Sequence, residues 1–178
     1  PSLSEMQFRA IFTAAGELYA EGFQPRPEIM IPVTVSVNEL NFQKRICDRV
    51  HKEVEEKFDM DIPFLFGTMI EIPRAAILAD RMARTAQFFS FGTNDLTQMT
   101  YGFSRDDSSK FLGSYYDAKI LEGDPFAKLD QTGVGLLMEI AIEKGKKVRP
   151  SLHAGICGEH GGDPSSIEFC DKIGLDYV

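Results

Sequence analysis

The sequence predicts an α/β fold made as part of a parallel (β/α)8 barrel, roughly its C-terminal half, and three observations carry that expectation. Segments with helical periodicity alternate with short apolar runs of strand length along the 178 residues, the pattern of α/β proteins. Those runs are nearly continuous in apolar residues, as parallel strands covered on both faces require. Three of them end in a turn that carries a carboxylate, an amide or a thiol, and in a parallel barrel the C-terminal strand ends line the functional face. A complete barrel takes about 250 residues and eight strands. Four strands and the start of a fifth are legible here, so residues 1–178 are expected to form one partial barrel domain. Its first strand would be an exposed edge unless a partner covers it.

Each element has its own signal. Ser2 and Glu5 make a capping box for a first helix, in which Phe8, Ile11, Phe12, Ala15, Leu18 and Tyr19 recur at helical spacing before Gly22 stops it. PEIMIPVTV reads as a buried strand. A second helix opens at Asn38 and carries an apolar stripe of Phe42, Ile46, Cys47, Val50 and Val54, which puts Cys47 in the core. Residues 63–72 form a second strand. Pro73 follows, where a helix can begin without wasting a backbone donor, and residues 75–83 supply that helix. QFFSFG is the third strand and leads directly into Thr93, Asn94 and Asp95. Residues 104–130 are charged and irregular. A helix with Val134, Leu137 and Ile140 then runs to a stop at Gly145. The fourth strand, residues 152–156, runs into Cys157, Gly158 and Glu159. Asp163 caps a last helix with Pro164 in its first position, Gly174 ends it, and LDYV begins a fifth strand.

Composition narrows the function classes. With 43% hydrophobic and 26% charged residues the chain has globular composition. No apolar run reaches the roughly eighteen residues needed to cross a bilayer, and PSLSEMQFRA lacks the features of a signal peptide. No membrane association is therefore expected. Cys47, Cys157 and Cys170 are odd in number and none is spaced as C-x-x-C, which argues against a disulfide framework or a zinc site. A reducing compartment, cytoplasmic or organellar, is expected. The net charge of −8 argues against a nucleic-acid surface. The one basic cluster, with Lys144, Lys146, Lys147 and Arg149, suits a solvated helix end.

Glu71 and Asp95 are the strongest candidate pair. Each lies at or just past the end of a buried strand, and hard oxygen ligands on adjacent strands suit magnesium or manganese. The bland alternative is that each carboxylate caps a helix, as Asp95 could for LTQMT. Gly92, Thr93 and Asn94 form a tight turn before a helical segment, where backbone N–H groups can meet carboxylate or phosphate oxygens. Cys157 stands at the strand mouth between Ile156 and Gly158, so it can serve proton transfer or be a small buried hydrophobe. A free thiol is mostly protonated at neutral pH, which suits an acid, and Glu159 is expected to reinforce that state. Cys170 belongs to the core. His51 is expected to be solvated, His153 to be a core residue and only His160 to stand near enough to Cys157 for a supporting role. Arg74 and Arg105 suit either anions or surface ion pairs.

The segments GTMIEIPRAA, FFSFGTNDLTQMT, SRDD, DPF and GICGEHGGDPSS, in this order, closely resemble the pyruvate, phosphate dikinase family over essentially residues 6–178. The resemblance is to the later part of its C-terminal domain, which binds phosphoenolpyruvate (PEP) and pyruvate. It implies Glu71 and Asp95 as Mg2+ ligands, with Gly92, Thr93, Asn94 and both carboxylates contacting substrate. It implies Cys157 as the proton donor to the methylene carbon of the pyruvate enolate. In that family a phosphohistidine on a swivelling domain, absent from this chain, carries the phosphoryl group, and ATP, phosphate and pyruvate are interconverted with AMP, diphosphate and PEP. Homodimers through this domain are common there. None of the three histidines here has the phosphocarrier's Gly-rich Ser-His setting, so this chain alone is expected not to complete the reaction. PEP synthase and enzyme I of the sugar phosphotransferase system share the strand-Glu and Asn-Asp elements, but SRDD and GEHGGDPSS favour the dikinase. A Mg2+-dependent pyruvate aldolase would not be expected to place a cysteine acid at the strand end. A non-catalytic binding module is the remaining alternative.

Overall fold

A computed structural model describes residues 2–178. Helix α1 (Ser2–Ala20) buries Phe8, Phe12, Ala15 and Gly16 against α2 (Val37–Phe58). Ile11 and Leu18 are exposed, so the apolar face that α1 packs against α2 is narrower than its sequence suggests. Between the two helices, β1 (Glu28–Ile31) ends well short of the predicted strand. Pro32 cannot continue a ladder, and Val33 adopts a left-handed φ of 51°, a conformation costly for a β-branched residue.

Ser36, two residues ahead of the expected start at Asn38, caps α2 by accepting from the Glu39 N–H. The buried face of this helix is Leu40, Cys47, Val50 and Val54, while Phe42 is exposed. Cys47 is fully buried, as predicted, and burial pushes its thiol up to about 12. His51 is not solvated. Its ring packs between Phe12 and Phe64, at centroid distances of 4.8 and 4.6 Å, and Nε2 lies 2.7 Å from the Ile62 carbonyl.

Strand β2 (Leu65–Met69) is followed by two short helices, α3 (Pro73–Ile77) and α4 (Ala79–Met82), in place of one. The break falls at Leu78, whose φ of −106° and ψ of 25° depart from helical values. Strand β3 (Phe88–Gly92) is buried at every residue and passes directly into α5 (Thr93–Tyr101). The irregular region contains α6 (Arg105–Ser108) and α7 (Leu112–Asp117). Helix α8 (Val134–Val148) continues past Gly145. That glycine does not end the helix but lets it approach β3 closely, since a Cβ there would lie 2.6 Å from a Leu152 methyl and 2.8 Å from the Phe89 ring. Helix α8 packs on α3 and α4. Strand β4 (His153–Cys157) begins with an exposed His153, which is therefore not a core residue. A 3-10 turn (Glu159–Gly162) leads to α9 (Pro164–Lys172), capped by Asp163 as the sequence predicts. Tyr177 makes one parallel bridge to Gly155, the beginning of the fifth strand.

The four strands form one parallel sheet in the order β1-β2-β3-β4. Consecutive strands lie side by side, with helices in the connections and no reversal of order, as consistent with a partial (β/α) barrel. Because the strands are parallel, all C-terminal ends meet at one edge. That edge holds Val33, Glu71, the Gly92–Asp95 turn and Cys157.

Candidate functional site

Glu71 lies two residues beyond β2 and is only 2% exposed. Its Oε1 accepts a hydrogen bond of 2.6 Å from the Val33 N–H. The left-handed turn at Val33 aims that N–H, and the segment around it is tied on both sides. Arg74 donates to the Val35 carbonyl, and the Val35 N–H donates to Glu39 Oε2 at 2.9 Å. Arg74 is therefore occupied by the backbone rather than by a surface ion pair.

The other oxygen of Glu71 rests over Gly92. A Cβ at position 92 would collide with Oε2, so glycine is required there for close approach. Asp95 stands in the first turn of α5, where its Oδ1 accepts from Gln98 Nε2 at 2.8 Å. The start of α5 is at Gly92, with no side-chain cap, so the carboxylate of Asp95 does not perform the capping role that sequence left open. Burial raises the pKa of Glu71, the Val33 N–H opposes that, and the neighbouring Asp95 raises it again. Among the described residues no Lys, Arg or His pairs with either carboxylate. Two facing carboxyl groups, one of them buried, favour a compensating cation. Their hard oxygens fit Mg2+, which keeps several positions for water or substrate. They are two ligands only: among the described residues no three His, Cys, Asp or Glu side chains gather for a metal.

Cys157 ends β4 directly opposite Gly92 in the ladder, half-buried, with Sγ 3.6 Å from the Phe91 carbonyl. The thiol thus sits one strand across from the glycine that Glu71 covers. Gly158 follows with a φ of 101° and ψ of −172°, a region open essentially to glycine alone. Glu159, expected to act on the thiol, instead pairs with Arg105 Nη1 at 2.6 Å. Arg105 holds the pKa of Glu159 below its usual value.

Arg105 also donates to Asn94 Oδ1 at 3.0 Å. His160 is 1% exposed, with Nδ1 2.7 Å from Thr93 Oγ1 and Nε2 2.9 Å from the Pro125 carbonyl. Sequence reasoning missed Val33 and the link from Arg105 to Asn94. Pro32 could have signalled the first by breaking the strand beside the mouth. Local spacing carries no signal for the second.

A family model described as "PEP-utilising enzyme, PEP-binding domain" matches residues 1–178. The chain belongs to this family. Relatives of this PEP-binding domain are named pyruvate, phosphate dikinase. The one from Clostridium symbiosum is 59% identical over 179 residues, covering 100% of this chain and 20% of that protein. The one from Entamoeba histolytica is 53% identical over 180 residues, again 20% of its length. The chloroplastic dikinase 1 of Arabidopsis thaliana is 54% identical over 178 residues, 18% of its length. The chain spans about a fifth of the length of the curated relatives it matches. Among the described residues no helix is long and apolar enough to cross a membrane.

Proposed function

We propose that this chain is the PEP- and pyruvate-binding part of a pyruvate, phosphate dikinase, with Glu71 and Asp95 holding Mg2+ and Cys157 acting as the proton donor. The single observation that carries the proposal is the uncompensated pairing of buried Glu71 with Asp95, set against the strand position opposite Cys157. The names of the relatives supply the substrate class. A bound Mg2+ would supply Lewis-acid stabilisation of negative charge on the enolate oxygen.

The chain's own residues do the rest. The Gly92–Asn94 turn presents backbone N–H groups and the Asn94 amide to the carboxylate of the keto acid. In the direction of PEP consumption, the bond from phosphorus to the enol oxygen breaks, and the phosphoryl group passes to a histidine on a separate domain. The enolate left behind gains a proton at its methylene carbon from the Cys157 S–H, giving pyruvate and a thiolate that solvent reprotonates. The whole protein would interconvert ATP, phosphate and pyruvate with AMP, diphosphate and PEP, and the closed barrel and homodimer belong to this proposal.

Oxalate, which imitates the enolate, tests the site without the phosphocarrier. Calorimetric titration is expected to show saturable binding that requires Mg2+ and disappears in Glu71→Gln. Oxalate binding that is indifferent to Mg2+, or unchanged by the substitution, would reject the assignment.

A further inference from the structure

Among the buried titratable side chains that the functional assignment leaves unused, His160 touches the substrate turn. His160 reaches from the 3-10 turn behind Cys157 to two other segments, Thr93 at the head of α5 and Pro125 in the region between α7 and α8. The Pro125 carbonyl can only accept, so the ring nitrogen facing it, Nε2, carries a hydrogen. In the neutral ring Nδ1 is then an acceptor, and the Thr93 hydroxyl must donate to it.

We propose that His160 is a positioning residue: as the Nε2–H tautomer it takes the only hydrogen of the Thr93 hydroxyl and so fixes the β3–α5 turn for an oxyanion. Two consequences follow from the donor inventory. The Thr93 hydroxyl is left with lone pairs alone, which repel a carboxylate or phosphate oxygen, so Thr93 serves an anion through its backbone N–H. Asn94 is sorted in the same way, because Arg105 is a pure donor and claims Oδ1, leaving the Asn94 NH2 as the end that can meet an anion. What the turn offers an anion is therefore its backbone N–H groups and the Asn94 NH2. His160 also sits three residues after Cys157, and Gly158 faces Thr93 Oγ1 at 4.0 Å from its ideal Cβ position, so the same ring sets the spacing between the thiol-bearing strand end and the turn.

This inference rests on the proposed oxyanion site, and its test separates the two. An amide oxygen in His160→Asn stands near the place of Nδ1 and keeps the acceptor for Thr93, whereas the amide nitrogen in His160→Gln stands near Nε2 and keeps the donor for Pro125. With both variants folded by circular dichroism, Mg2+-dependent oxalate affinity should stay within about twofold in the Asn variant and fall about tenfold in the Gln variant, the size of one lost hydrogen bond. Equal losses in the two would overturn the positioning role, since a merely structural ring would not favour one nitrogen. Long-range 1H–15N spectra of histidine-labelled protein should show His160 with hydrogen on Nε2 and none on Nδ1, and the reverse pattern would also overturn it. If the unsubstituted protein binds no oxalate with Mg2+, the functional assignment fails, and the amide resonances of Thr93 and Asn94 decide alone. Displacement in the Gln variant but not the Asn variant upholds the positioning role, and any other pattern rejects it.

Discussion

Gly92 shows how much of the site depends on one missing methyl group. Its position under Glu71 Oε2 means that Gly92→Ala must push the carboxylate off its place beside Asp95. Oxalate affinity in the presence of Mg2+ should drop by about tenfold or more, with a stability loss of about 1–3 kcal/mol from overpacking. Chemical denaturation and calorimetry on the same variant measure both. The three cysteines differ in the same local way. Burial pushes the thiols of Cys47 and Cys170 up to about 12 and about 11, so neither offers thiolate at neutral pH. Brief iodoacetamide treatment followed by peptide mass spectrometry should find the label on half-buried Cys157 first, and labelling of Cys47 ahead of it would contradict the packing of α2. The strand-end positions of Glu71, Asp95 and Cys157 were legible because such ends are visible as the end of an apolar run. Sequence ran the first strand through Val33, which the structure ends at Ile31, and it was wrong about His51 and His153, because burial of a single polar side chain depends on neighbours remote in the chain. Phe12 and Phe64, which sandwich His51, are such neighbours.

At the scale of elements, the start of α8 depends on Asp130. Its carboxylate accepts from the N–H groups of Thr132, Gly133 and Val134 and from the Thr132 hydroxyl. Burial alone would raise its pKa, but those four donors together outweigh it and hold the group below the ordinary carboxyl value of 3.8. Asp130→Ala should cost about 1–2 kcal/mol. Since the pKa is depressed on folding, this stability is present above the unfolded-state value and is lost as pH falls through the lower folded-state value. Urea denaturation of both proteins should therefore give a gap at pH 7 that closes below about pH 3.8. A gap that persists in acid would show that Asp130 acts by packing rather than as an acceptor. The strands and long helices were legible from their apolar runs and caps, as with Asp163 before α9. The split at Leu78 and the continuation through Gly145 were not. Gly145 is explained by the contact of α8 with Leu152 and Phe89, a tertiary reason invisible to a rule that treats glycine as a helix stop.

For the whole molecule, the sheet has two interior strands, β2 and β3, of which β3 is buried at every residue, and β1 forms an open edge. Strand β3 is paired on both sides and fully buried, while β1 pairs only with β2 and carries an alternating exposed face. Hydrogen exchange should be slowest in β3 and markedly faster at the β1 amides that point away from β2, because an unpaired edge has no ladder to protect it. Equal protection in the two strands would mean that another segment or a second copy completes the sheet. The parallel order brings residues from three strand ends to one mouth. The turn at residues 92–95 is held there from two sides, by His160 and by Arg105. The most direct measurement is a crystal structure of the protein with Mg2+ and oxalate. One metal ion held by Glu71 and Asp95 is expected, with oxalate on that ion against the Gly92–Asn94 turn and the Cys157 thiol facing the oxalate oxygen that stands in for the enolate methylene. A metal held elsewhere, or oxalate bound out of reach of Cys157, would contradict that arrangement.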